Sequence, residues 1–384
     1  MGKQGGKVTR KIGEINGKDV LCSLTFTKEL SENEQSQVFY IVKKIVEEQS
    51  RLEDENTNPG FVLLTKKPEV SVYKNAVTKI VSLDDIQPLL RSYGASFEGY
   101  KNCRGLIGAT AAVAWEPLDR TFEFIAYRPM NRWGTKRKVD AASVQYMNKD
   151  CTSTFDSYDD INRHNRIVPN SPCPILYGIR GDSVDELILA SLQVKSEPMD
   201  SWLFFETNQG TDDHLQHKKI NEIQAFESVI TEGSVAKNPY TIQGGHVLFT
   251  LKDETGMIPC AAYEPTKEFR GIIRQLQVGD IVEVYGGVRE QPLTINLEKI
   301  EIKHLKKVLV KKENPVCPTC GKHMKSKGTH QGYRCIRCGT TSSTPAIQEK
   351  TRMIHQGFYE VPVCARRHLS KPLKRLKTIP AAHK

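Results

Sequence analysis

Four cysteines, Cys317, Cys320, Cys335 and Cys338, form two Cys-x-x-Cys pairs with 14 residues between them. Each pair can make a tight knuckle that aims two thiolates at one centre. Two knuckles close a tetrahedral four-sulfur shell with no open coordination position. The four are candidate ligands of a structural Zn2+, and a redox role would require two such pairs by coincidence. Gly321 and Gly339 follow the pairs, where the turn must expose backbone amides. His323, Lys325, Lys327, His330 and Arg334 lie between the pairs, available to face phosphate. The six remaining cysteines are scattered singly, and the N-terminus lacks the apolar run of a secretory signal. A reduced compartment, the cytoplasm, is expected, with no disulfide framework.

A second group of chemistry-bearing residues spans 177–183, Tyr-Gly-Ile-Arg-Gly-Asp-Ser, at the end of a buried strand. Ligands of open α/β sheets bind at strand carboxyl ends, where helix N-termini offer free amides. Arg180 can hold a phosphate or carboxylate there as a two-pronged donor. An ordinary surface ion pair beside a capped helix reads equally well. A third group, residues 205–214, runs Phe-Glu-Thr-Asn-Gln-Gly-Thr-Asp-Asp-His. That is more hydrogen-bonding capacity than a plain turn requires. Asn208, Gln209 and Thr211 can read a polar ligand, Gly210 permits close backbone approach, and Asp212 and His214 can bind metal or move protons. Arg180, Asp212 and His214 are the candidate catalytic set. Gly181, Asp182, Asn208, Gln209, Gly210 and Thr211 are the candidate cofactor-binding set. Residues 128–137 add a cationic loop around Trp133, a composition suited to base stacking or phosphate gripping.

The 384 residues allow two to four domains. Net charge is +10, and from residue 306 onward 18 Lys/Arg stand against 3 Asp/Glu. The rest of the chain is therefore slightly acidic. Such asymmetry implies a body with a polyanion-binding end, and its overlap with the cysteine module favours nucleic acid over a merely solvated tail. No apolar run approaches the roughly 20 residues of a membrane span.

The elements that must position these groups follow from periodicity. Helical spacing over 28–51 puts Val38, Ile41, Val42, Ile45 and Val46 on one face, and a second helix is expected over 83–93. Small apolar residues over 105–115 suit a closely packed helix. Strands are expected over 20–27, 60–64, 121–127, 174–179 and 201–206, a helix over 182–194, and a loop over 151–170. The fold class is multidomain α+β: a ferredoxin-like and α/β kinase-like N-terminal part, an OB-fold barrel and a C-terminal zinc ribbon. Its expected divisions are 1–140, ferredoxin-like; 141–231, the rest of a kinase-like catalytic domain; 232–305, OB-fold; 306–345, ribbon; and 346–384, a basic tail. Within the barrel, strands 245–252 and 257–263, a helix 266–276, and strands 281–287 and 293–302 fit the OB order. Residues 371–384 read as disordered.

Taken together, residues 99–108 (Gly-Tyr-Lys-Asn-Cys-Arg-Gly-Leu-Ile-Gly), 125–128 with Trp133-Gly134-Thr135, 172–181, and 207–212 with His214 resemble the archaeal tRNA(Ile) agmatinylcytidine synthetase family. The barrel and ribbon follow in that family's order. The resemblance implies a ligase that uses ATP to join agmatine to C2 of the wobble cytidine of the CAU-anticodon isoleucine tRNA, so that AUA is decoded. It implies ATP, Mg2+ and Zn2+, with agmatine as co-substrate and tRNA as partner. Arg180, Gly181 and Asp182 would then border the ATP or agmatine pocket, with 208–214 lining the same crevice. The family's aspartate-rich N-terminal loop, Gly-Ile-Asp-Asp-Thr-Asp, does not occur in this sequence, so three explanations stand open: a truncated chain, a split gene, or a separate chain that supplies the loop as a further partner. The competing classes are a non-catalytic OB and zinc-ribbon RNA-binding protein and a zinc-ribbon component of transcription or replication. Neither needs the polar loop 207–214.

Overall fold

The computed structural model describes residues 9–13, 20–26 and 28–376. Expectations for the first eight residues and for residues 377–384 lie outside this range.

Apolar alternation at positions 122, 124 and 126 and at 177 and 179 gives strands with one greasy face. They sit in a six-stranded sheet ordered Val20–Leu24, Thr9–Gly13, Ser201–Thr207, Thr121–Tyr127, Ile175–Gly181 and Thr154–Phe155. Helices Ala141–Asp150 and Val184–Gln193 cover that face, packing Val144, Met147, Leu187 and Ala190 on Phe124, Ala126, Tyr177 and Ile179. Strands on either side of residue 140 thus share this sheet. On the opposite face Phe205, Glu123 and Arg180 stand in register across three strands.

A second layer pairs Gly60–Leu63 with Ser96–Gly99 beneath helices Val70–Thr78, Leu83–Ser92 and Gly105–Ala114. The small residues of Gly105–Ala114 act as expected. A Cβ on Gly105 would lie 2.4 Å from the Gly60 nitrogen, so only glycine lets helix and strand approach this closely. Leu83–Ser92 starts at a reciprocal Ser82–Asp85 capping box. Helix Glu32–Gln49 occupies the expected span, also boxed by Ser31 and Glu34. Its apolar face is only partly covered, however, and Ile41 and Ile45 stay more than half exposed. Helix Val70–Thr78 escaped the sequence reading because Val70, Val72, Val77 and Thr78 are β-branched. Packing of Tyr73 and Ala76 against Ala111, Ala112 and Trp115 overrides that local preference.

Residues 228–304 form the barrel. Ser228–Thr241 pairs with Val247–Lys252 at one end and with Ile281–Arg289 at the other, which closes the sheet on itself through Met257–Ala262 and Thr294–His304. The expected helix 266–276 shrinks to Phe269–Ile273, after a 3-10 turn at Glu264–Thr266. Beyond the barrel, Leu309–Glu313 pairs with Ala346–Glu349 and carries a small three-stranded ribbon.

The tail departs from the expected disorder at residues 371–376. Gly357–Glu360 adds to the barrel strand Thr294–His304, and residues 361–376 return to the central sheet. Leu369, Ser370, Lys371 and Arg375 are buried and Leu373–Leu376 is helical, so disorder over 371–376 is ruled out. The basic residues there meet acidic partners, which lets a charged segment pack.

Candidate active site and nucleic-acid interface

The ribbon's metal centre is assembled by local backbone geometry. The amides of Gly321 and Gly339 donate to the carbonyls of Cys317 and Cys335 at 2.9 and 3.0 Å. Those of Cys317 and Cys335 donate to Lys322 and Thr340, 2.8 Å each. The two knuckles are therefore matched. Gly321 and Gly339 have φ of +71° and +78°, which a residue with a Cβ adopts only under strain. The four sulfurs lie within 4.8 Å of one another, with closest pairs at 3.3, 3.4 and 3.7 Å. Tetrahedral zinc with bonds of about 2.3 Å spaces sulfurs by about 3.8 Å, so the donor set fits Zn2+. Burial pushes the Cys317 thiol up, but the Cys338 thiol and the amides of Thr319 and Cys320 bring it down to about 6. His323, Lys325, Lys327, His330 and Arg334 are all exposed.

The cationic loop 128–137 behaves differently. Arg128 is buried, donating to Glu197 at 2.7 Å and to Thr135 O at 2.8 Å. Arg137 donates to the carbonyls of Pro169, Ser171, Cys173 and Ile175. Both brace the loop from within and are not exposed to grip phosphate. Arg132, Trp133 and Lys136 remain on its outside.

Arg180 is the next-to-last residue of the strand Ile175–Gly181, on the face of the sheet opposite the two covering helices. Its Nε donates to Glu123 at 3.3 Å and its Nη2 lies 2.8 Å from His368 Nδ1. Gln209 Nε2 reaches the other Glu123 oxygen at 3.3 Å. The strand end and the polar loop thus meet at one buried carboxylate. Next to Arg180, Gly181 is buried under Leu187, where a Cβ would come within 3.2 Å of that side chain. Asp182 then accepts from Arg375 at 2.7 Å.

Loop 207–214 is internally knitted. Thr121 donates to Gln209 O at 2.8 Å, and Thr211 to Asn208 O at 2.6 Å. Asn208 donates to the Tyr73 hydroxyl at 2.8 Å, which donates to Asp213 at 2.7 Å. Burial raises the Asp213 carboxyl above its usual range despite the Tyr73 hydroxyl. Asp212, at φ +66°, takes Lys299 Nζ at 2.5 Å and the Lys371 amide at 2.7 Å. His214 pairs with Glu298 at 3.1 Å, and Arg367 caps the other Glu298 oxygen at 2.9 Å. Buried and without partners among the described residues are Gln209 Oε1 and His214 Nδ1. A cleft of about 510 Å3 opens beside the loop between Tyr73, Lys74, Glu116, Leu118, Asp213 and Gln216.

The structure therefore brings all nine candidate crevice residues to one region and leaves the cysteine cluster in a separate lobe. It adds groups that the sequence reading missed: Tyr73, Asp119, Glu123, Lys299, Lys371 and Arg375. One of these had a readable signal. Apolar positions 295 and 297 switch phase to 300 and 302, with Glu298 and Lys299 at the switch. There Tyr285 pairs with Lys299 but Gly286 with Leu297, so Glu298 is the extra residue of a bulge. Bulges re-aim side chains, and this one turns both charges toward Asp212 and His214.

Family profiles match the chain in consecutive segments: a TiaS TCKD domain over 1–102, a TiaS FLD domain over 103–214, an OB-fold nucleic acid binding domain over 229–306 and a TiaS C-terminal zinc ribbon domain over 314–354. The isoleucine-tRNA 2-agmatinylcytidine synthetase TiaS of Methanocaldococcus jannaschii is 43% identical over 361 residues, covering 91% of this chain and 85% of the relative. The chain belongs to this synthetase family. A second TiaS, from Archaeoglobus fulgidus, is 42% identical over 88% of this chain and 80% of its own length. The solved complex of TiaS with its isoleucine tRNA and ATP superposes with a TM-score of 0.85 at 38% identity, over 99% of this chain and 92% of that one. A complex that holds the tRNA, an ATP analogue and agmatine gives a TM-score of 0.82 at 36% identity, over 99% and 91%. The expected fold class, with its barrel and zinc ribbon, is that of the family.

Proposed function

We propose that this chain uses ATP to join agmatine to C2 of the first anticodon cytidine of the CAU-anticodon isoleucine tRNA. The product, agmatidine, makes that tRNA read AUA. The observation that carries the reading is the conjunction, in one chain, of a knitted polar crevice, a barrel and a four-cysteine ribbon, in the order of relatives solved with tRNA, ATP and agmatine.

The chemistry needs two displacements. The C2 oxygen of cytidine is a poor leaving group until it takes a phosphoryl group from ATP. The primary amine of agmatine then attacks C2, phosphate departs with that oxygen, and the amine gives up a proton. Such transfers depend on positioning and charge neutralisation. We assign Arg180, with Gly181 and Asp182, to the rim of the ATP or agmatine pocket, since its Nη1 meets no acceptor among the described residues. We assign Asn208, Gln209, Gly210 and Thr211 to the lining, where the Gln209 Oε1 awaits a donor. Asp212 and His214 complete the set, held by Lys299 and Glu298. Mg2+ accompanies the nucleotide in this reading, but Asp182 and Asp212 are not assigned to it, because each already pairs with a cation of the chain. The barrel presents the unstacked anticodon, as base-modifying chemistry requires, and the ribbon holds the tRNA backbone. No described helix is long and apolar enough to cross a membrane. We assign the enzyme to the cytoplasm, a reading supported by a tRNA substrate and by the lack of disulfides among the described cysteines.

The test is incubation with ATP, agmatine and the CAU isoleucine tRNA. A mass gain of one agmatine less water at the wobble cytidine is expected. No gain with fully zinc-loaded protein would overturn the reading.

A further inference from the structure

Five cations fall within residues 366–375: Arg366, Arg367, Lys371, Lys374 and Arg375. A polyanion grip would hold them in solvent. Instead each is bound by the chain itself. Arg366 pairs with Asp156 and Glu360, Arg367 with Glu298, Lys371 with Asp119, and Arg375 with Asp119 and Asp182. Lys374 donates to Thr154 O at 2.5 Å.

We infer that residues 366–375 form a strap that positions loop 207–214 for catalysis, with Lys371 and Arg375 as its positioning residues; the inference rests on the assignment of that loop to the reactive crevice. Two backbone hydrogen bonds lay the strap along the loop, from Gly210 N to His368 O at 2.7 Å and from Asp212 N to Leu369 O at 2.8 Å. Lys371 locks its far end: its amide meets Asp212 while its carbonyl accepts from Lys299 at 2.9 Å. Arg375 then ties together three places distant in sequence. It donates to Asp182 beyond the strand end, to Asp119 before the strand Thr121–Tyr127, and to the carbonyl of Gly210 in the loop. A planar guanidinium with five fixed donors suits this bridging, and an ammonium does not. The distance between Arg180 and the loop's polar groups is thereby set by a residue remote from both in sequence.

Two readouts on the full chain test this. In Arg375→Ala, hydrogen exchange of the peptide spanning 207–214 should accelerate at least 10-fold at the amides of Gly210 and Asp212. Agmatine transfer should fall at least 10-fold in kcat while tRNA affinity stays within twofold. Millimolar guanidinium should restore part of kcat, a rescue that a general folding defect does not allow. If Arg375→Ala fails to fold, Asp119→Asn, close in shape, removes an acceptor from the same bridge and is read in the same way. Unchanged exchange at those two amides in the folded variant overturns the strap. Absence of agmatine transfer by the unmodified protein would instead count against the proposed function, and the exchange measurement would still decide the strap.

Discussion

Two neighbouring stretches of the C-terminal region are almost equally basic and end up in opposite environments. In the ribbon, Lys325, Lys327 and Arg334 stand in solvent, on a scaffold whose interior is little more than Cys317, Met324, Tyr333 and Cys335. In the strap, Lys371 and Arg375 are buried among carboxylates. Positive charge therefore does not by itself mark a nucleic-acid surface. What separates the two is the company each keeps. The ribbon has four sulfurs and almost no acid, so its cations remain available. The strap has Leu369 as an apolar anchor, with Val361 buried just before it, and an acidic body to receive it. Burying such charges is tolerable only because each is paired and hydrogen-bonded.

The comparison can be broken most forcefully at the metal. Chelation of zinc, or Cys335→Ser, should unfold the ribbon, because so small a core depends on the ion. Affinity for tRNA should then fall by about 100-fold, the scale of losing several phosphate contacts. The thermal transition of the body should stay put. Loss of the body's transition as well would show that the two regions are not independent.

Between ribbon and strap sits Arg352, whose guanidinium spans both oxygens of the fully buried Asp280 at 2.6 and 2.8 Å. Asp280→Ala strands that charge, and urea unfolding should register a loss of about 3–5 kcal/mol.

Acid should loosen the strap's end of the barrel. Burial pushes the Glu298 carboxyl up, but the His214 imidazole and the Arg367 guanidinium outweigh it and hold it at about 2, below the usual 4.5. A carboxyl depressed by folding stabilises the native state fully above its unfolded value and loses that contribution as pH drops from about 4.5 toward 2. The stability gap between the natural protein and Glu298→Gln, on the order of 3 kcal/mol, should be flat near neutrality and close across that window. A gap that persists at pH 2 would contradict the pairing.

The finest discrimination is by salt. Lys325→Ala and Lys327→Ala should each lower the slope of log affinity against log salt by about 1. Arg366→Met in the strap should leave the slope unchanged, since that cation is already neutralised by Asp156 and Glu360. An equal effect at all three positions would mean that ribbon and strap cations meet the tRNA alike.

Much of this was legible locally. The cysteine knuckles are a matter of a few residues and two glycines at positive φ, and the strands and helices around 121–127, 175–181 and 184–193 follow from alternation and capping. The closely packed helix after Gly105 was readable from its small residues. Helix Val70–Thr78 was not, because its β-branched residues argue for strand until Trp115 and Ala111 pack on it. The cationic loop misled in the same way: nothing near Arg128 or Arg137 in sequence announces Glu197 or the carbonyls of 169–175.

What the sequence determined alone is therefore whatever short-range geometry dictates: the metal shell, the barrel's alternating strands and the residue types that can do chemistry at 180–182 and 207–214. The tertiary structure decided which charges are spent and which are free. That choice depends on carboxylates such as Asp119, Asp182 and Glu298, which lie from 69 to 256 positions away from the cations they hold. Pairing at such separations is set by folding of the whole chain, because a charge leaves water only where a partner already waits.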